Sequence, residues 1–218
     1  MASSIMHLAI TNELTKKIDF TDTNRLKFGA ILVDAGIKGE KERNAHLKIF
    51  VNEGTKKTYD FDRYRQEFGE KMLSDDLYMG YYLHLVQDAL YRQYVYVRHS
   101  WNPHKQGNVE RLHKDYGIVN QYVINKYQLE NDVVIPEDFA NEDLNQISDF
   151  ALPNFMANLN DYFQPIKEEP IFFFTKEMSD EFISEAVEFC TKEVEKIRKG
   201  EPGVDMYEYA WNSGTEVG

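Results

Sequence analysis

Residues 80–92 read GYYLHLVQDALYR. The stretch is apolar and aromatic enough for a helix buried deep in a core. Yet His84 and Asp88 stand four residues apart, which on a helix places one above the other on a single face. Tyr82, Leu83, Leu85, Val86, Ala89 and Leu90 fill most of the positions around them. A carboxylate buried among such neighbours is costly unless it is paired or bound to a cation. The spacing alone leaves two readings open. A divalent metal would accept neutral imidazole and carboxylate together. Otherwise the two groups close on each other, or the face meets solvent.

Working outward, residues 76–97 form one long apolar helix around this motif. Residues 4–17 are helical, with Ser3 or Ser4 as the cap and His7, Ile10 and Leu14 on one face. A short apolar segment over 24–36 ends at a glycine. Residues 46–59 form an extended segment or a hairpin around NEGT. Phe61, Tyr64, Phe68 and Met72 recur at helical spacing, and so do Leu112, Tyr116, Val119, Val123 and Tyr127 over 109–128. Residues 99–108 are a loop by composition. Residues 129–170 are acidic and hold four prolines, which predicts irregular structure with one or two short helices. Over 176–198, Ile183, Val187, Cys190, Val194 and Ile197 line one face of a helix. The tail after Gly200 is expected to be loosely held. The fold class is therefore all-α, mostly helical. It is read as a single domain over 1–218, with a helical core over about 1–128 and a C-terminal helical extension over about 129–218.

Composition narrows the function. The 218 residues carry a net charge of −12, which disfavours long nucleic acid and anionic membrane surfaces as partners. No run of about 18 apolar residues is present, so integral membrane association is not expected. The start shows no signal peptide, and Cys190 is the single cysteine. Both point to a cytoplasmic location. Cys190 lies on the apolar stripe of its helix and reads as core. The acidic runs SDD at 74–76 and NEDLNQISD at 141–149 read as solvated surface.

All six histidines lie within the first 113 residues. His7 sits early in a helix on its apolar side, where a core histidine and a ligand are both admissible. Asp34 ends the apolar stretch AILVDAG, as a ligand or as a cap. His46 alone says nothing. His99 and His104 fall in the loop. His113 suits either core or site. Glu110 and His113 form a single ExxH, whereas di-iron bundles need two. No adjacent His-Asp, phosphate-binding glycine loop, HExxH or GxSxG occurs.

Taken in order, IMHLAI with His7, ILVDAG with Asp34, AHLKIF with His46 and GYYLHLVQDALYR resemble the zinc-dependent phospholipase C family. That family shares its helical fold with the fungal single-strand-specific nucleases. The likeness covers roughly residues 1–128 and is most specific at Gly80, Tyr81, His84, Leu85 and Asp88. It implies a helical bundle and a metal-dependent hydrolase of phosphoric ester bonds, in which zinc-activated water attacks phosphorus. Asp34, His46, His84 and Asp88 would hold one zinc, and Asp88 would bridge to a second ion with His7. Asp34 would orient the attacking water, and His113 would protonate a leaving group or hold a phosphate oxygen. The substrate implied is a small phosphoester.

The pattern departs from the family at three places. Secreted members begin with a tryptophan whose amino group binds metal, where this chain has Met1. Six residues past Asp88 stands Tyr94, not histidine. Four past His113 stands Gly117, which leaves His113 or Asp115 as substitutes in a third site. One or two zinc ions are expected. The alternative is a non-catalytic relative in which the metal, or the polar face, is structural.

Overall fold

A computed structural model describes residues 2–37, 45–167 and 169–212. Among these, seven α-helices and a small sheet make a mostly helical fold. The helices are α1 (Ser4–Thr15), α2 (Thr23–Leu32), α3 (Phe61–Ser74), α4 (Asp76–Arg92), α5 (Asn108–Lys126), α6 (Leu152–Tyr162) and α7 (Lys176–Arg198). Their starts follow from short polar side chains that satisfy the free N–H groups of a first turn. Ser3 accepts from the N–H of Met6, Asp22 from Arg25, Asp60 from Arg63, Asp75 from Leu77 and Thr175 from Met178.

α4 is the spine. Every residue from Leu77 to Ala89 is buried, as its sequence of apolar and aromatic side chains requires. α2 crosses it where two glycines meet. A Cβ on Gly80 would lie 2.9 Å from the Ala30 nitrogen and 3.1 Å from Gly29 Cα, and one on Gly29 would lie 3.0 Å from the Tyr81 nitrogen. The two backbones therefore touch, and only hydrogen fits at the contact. α1 packs on α2, α5 and α7, and α3 on α4, enclosing a core rich in tyrosine and phenylalanine. Helix α4 passes at Arg92 into a π-helical turn, Gln93–Arg98, rather than running on as α-helix to residue 97.

The hairpin expected over 46–59 is present. Strand β1 (Lys48–Val51) pairs antiparallel with β2 (Lys56–Tyr59) in the register Lys48↔Tyr59 to Val51↔Lys56. The tail departs from expectation. β3 (Trp211–Asn212) adds to β2, opposite Lys57 and Lys56. Upstream, the Val204 N–H donates to the buried carboxylate of Glu193, and the Met206 carbonyl accepts from Thr58 Oγ. Residues 201–212 are thus tied down, because hydrogen-bond partners from β2, α3 and α7 compensate for their polar composition. The last six residues lie outside the described set.

The two acidic runs are also more than solvated surface. Arg25 draws Asp75, Asp138 and Glu142 together, and the Lys71 ammonium pairs with Asp143. The irregular segment 138–143 is pinned across α2 and α3 by these ion pairs.

Candidate metal centre

Four separate pieces of chain bring five side chains together. α1 supplies His7, the 3-10 turn Val33–Ala35 after α2 supplies Asp34, the turn before β1 supplies His46, and α4 supplies His84 and Asp88. All three histidines and Asp88 are buried, and Asp34 retains 15% side-chain exposure. The turn carrying His46 is fastened to α4 by a hydrogen bond from Tyr81 OH to the Ala45 carbonyl. The next residue, Leu47, is held at φ 49°, a left-handed conformation that costs a non-glycine residue about 1–3 kcal/mol.

The imidazoles are aimed. His7 Nδ1 lies 2.7 Å from Gln87 Oε1, and His84 Nδ1 lies 2.8 Å from the Ala30 carbonyl. Both partners are acceptors, so each Nδ1 carries the proton in the neutral ring and each Nε2 presents a lone pair. No hydrogen-bond partner meets the Nε2 atoms of His7, His46 or His84 among the described residues. They face the two carboxylates instead. His46 Nε2 and His84 Nε2 each stand 3.6 Å from Asp88 Oδ2 and 3.8 Å from Asp34 Oδ1. His7 Nε2 stands 3.6 Å from the other oxygen, Asp88 Oδ1.

These separations are too long for hydrogen bonds, so a self-contained Asp88–His84 hydrogen bond does not describe the pair. Each of the two nitrogens of His46 and His84 thus stands 3.6–3.8 Å from an oxygen of both carboxylates, a spacing that two ligand atoms of one cation can share. Two overlapping groups of metal-competent side chains result: His46, His84 and Asp88, and His7, Asp34 and His84.

Electrostatics set the two imidazoles apart. Burial holds the His46 imidazole well below its usual 6.5, in the neutral form a cation needs. Burial opposes charge on His84 too, but Asp34, Asp88 and the Ala30 carbonyl outweigh it and raise that group. Burial would also raise Asp88, yet His7 and His84 draw its carboxyl well below the ordinary 3.8. Among the described residues the two carboxylates find only imidazoles as ion-pair partners.

A surrounding ring of polar groups fixes the ligands. Ser4 Oγ donates to Asp34 Oδ2 at 2.7 Å, and the Ala2 N–H donates to Asp88 Oδ1 at 3.1 Å. Tyr59 OH reaches Asp88 Oδ2 at 3.4 Å and accepts from Arg92 Nε at 3.1 Å. The Arg92 guanidinium lies 4.0 Å over the Trp211 ring. The open side is at Asp34. Tyr162 lies in the same field, its phenol pushed up first by burial and then by Asp34.

Three positions singled out in the sequence are not brought here. His113 is exposed on α5, its ring 6.0 Å from Tyr116, and joins neither metal-competent group. Asp115 spends both oxygens on the backbone N–H groups of Phe172, Phe173 and Phe174. Tyr94 OH donates to Glu181. In their place the structure brings in Ser4, Tyr59 and Gln87, which sequence reasoning passed over. Gln87 carried the clearest signal, as a polar residue inside the apolar run next to Asp88.

No family model, curated protein or solved structure matches this chain.

Proposed function

We propose that the protein is a metal-dependent hydrolase of phosphoric ester bonds, with zinc as its cation and a small phosphodiester as its substrate class. The observation that carries this reading is that the buried Nε2 atoms of His46 and His84, which have no hydrogen-bond partner among the described residues, each face Asp34 Oδ1 and Asp88 Oδ2 at 3.6–3.8 Å. Two carboxylates and two imidazoles suit zinc, and the sequence likeness around His84 and Asp88 points the same way. Such a cation supplies Lewis acidity toward a phosphoryl oxygen and lowers the pKa of water to about 7.

The chain's own residues do the rest. Ala30 and Gln87 hold the tautomers, and Tyr59 and Ser4 hold the carboxylates. Asp34, the ligand with solvent access, marks the side from which substrate enters and is placed to accept a proton from attacking water. A second cation would find His7 Nε2 and Asp88 Oδ1, but the Ala2 N–H already donates to that oxygen. One full site and one half site are therefore proposed. The net charge of −12 favours a small substrate over long nucleic acid. The single buried thiol fits a cytoplasmic setting. Among the described residues no helix is long and apolar enough to cross a membrane.

One observation favours a second reading. Four protein ligands around one ion resemble a closed structural site. Elemental mass spectrometry on wild type and His84→Ala, with a bis(p-nitrophenyl) phosphate assay, separates the two. About one zinc per chain, lost in the variant, with chelator-sensitive hydrolysis, supports the hydrolase. Zinc without hydrolysis supports the structural role. Wild type purified without chelator and carrying no metal would sink both.

A further inference from the structure

We infer that Ser4 is a positioning residue that makes Asp34 a single-oxygen ligand, so that the first turn of α1 sets the coordination of the site; this rests on the metal reading above. The Asp34 carboxylate has two oxygens in different surroundings. Oδ1 faces His46 Nε2 and His84 Nε2 at 3.8 Å each, whereas Oδ2 accepts from Ser4 Oγ at 2.7 Å. A bond to an ionised acceptor at that distance is among the stronger side-chain hydrogen bonds.

Asp34 needs such a restraint more than the other ligands. His84 and Asp88 ride on the fully buried helix α4, and His7 on α1. Asp34 sits in a three-residue 3-10 turn and is the one ligand with 15% exposure. It is the least enclosed of the five side chains. Ser4 is itself fixed at the start of α1, whose neighbouring residues engage two further points. Ser3 Oγ donates to Asn120 Oδ1 on α5, and the Ala2 N–H donates to Asp88 Oδ1. The segment thus has the placement to hold Asp34 in one orientation. Without the hydroxyl, Oδ2 is released, and the carboxylate turns or presents both oxygens to the cation.

The experiment compares wild type, Ser4→Ala and Ser4→Thr. Zinc affinity is read by competition with a chromophoric chelator. The visible absorption of the cobalt(II)-loaded forms is recorded, and the melting temperature of each metal-free protein is measured. Loss of a hydrogen bond that orients a ligand lowers metal affinity by about 10–100-fold. Ser4→Ala should show that loss and an altered cobalt spectrum, with the metal-free melting temperature held. Ser4→Thr, which keeps a hydroxyl, should restore both metal readouts. Unchanged affinity and spectrum in Ser4→Ala overturn the inference while leaving the metal reading intact. So does an affinity loss that merely follows lowered metal-free stability. Wild type that binds neither zinc nor cobalt overturns the metal reading itself.

Discussion

Replacing Gly80 by alanine tests the helix crossing on which the site depends. In an isolated helix the change would stabilise by about 1 kcal/mol. Here the new methyl carbon would stand 2.9 Å from the Ala30 nitrogen and nearer still to the Leu26 carbonyl, where ordinary contacts are 3.4–4 Å. Both neighbours are backbone, so no side chain can swing away, and the helices must separate by at least about 0.5 Å. Overpacking of this kind costs about 1–3 kcal/mol. Separation also stretches the bond between His84 Nδ1 and the Ala30 carbonyl, and a buried pair left unsatisfied costs about 1–3 kcal/mol more. The net is a destabilisation of about 3 kcal/mol. With a urea slope of about 3 kcal/mol per M, the unfolding midpoint should fall by about 1 M. Gly69, on α3, is the control, because a Cβ there meets nothing within 4 Å. Gly69→Ala should raise the midpoint, by helix propensity alone. A midpoint in Gly80→Ala equal to or above wild type would refute the claim that the two backbones touch.

Further outcomes follow from burial. Cys190 is fully buried and burial raises its thiol pKa, so a thiol reagent should label it only at the rate of unfolding. Fast labelling of native protein would contradict its place on the α7 core face. Burial lowers His46 below 6.5, so in metal-free protein its contribution is full above that value and is lost as pH falls through it. The stability of metal-free wild type relative to His46→Gln should therefore shrink between about pH 7 and about pH 5. A constant difference across that range would show that folding leaves the His46 imidazole unshifted, and a difference that grew as pH fell would show it held protonated in the fold.

The elements with strong periodicity were legible because one physical rule governed each. The continuous apolar run of α4, the stripe from Ile183 to Ile197, and NEGT between two β-prone runs each had a single low-energy solution. The cluster of His7, Asp34, His46, His84 and Asp88 is suggested by the order of its residues, but its geometry is not, since it depends on where α2 crosses α4. The crossing is set by Gly29 and Gly80 together, a pairing no local pattern displays. Ser4 and Tyr59 escaped notice for the same reason. A serine beside a capping serine looks like part of the cap, and a tyrosine ending a strand looks like core. Their hydroxyls acquire a role only when chain segments 30 and 29 residues away fold against them. The tail was misread because composition describes its own solubility and not the unpaired edge of β2 waiting for it.

That edge has a consequence for how the chain is made. β2 emerges early in synthesis, but its partner β3 is among the last described residues, with Lys57 opposite Trp211. Helix α7, which packs on α1, is also made late. During elongation the nascent chain therefore carries an open strand edge and an uncovered face of α1, both adhesive surfaces. Contacts this distant in sequence close slowly. The charges on that strand, Lys56 and Lys57, are suited to keep neighbouring nascent chains from pairing there until β3 arrives.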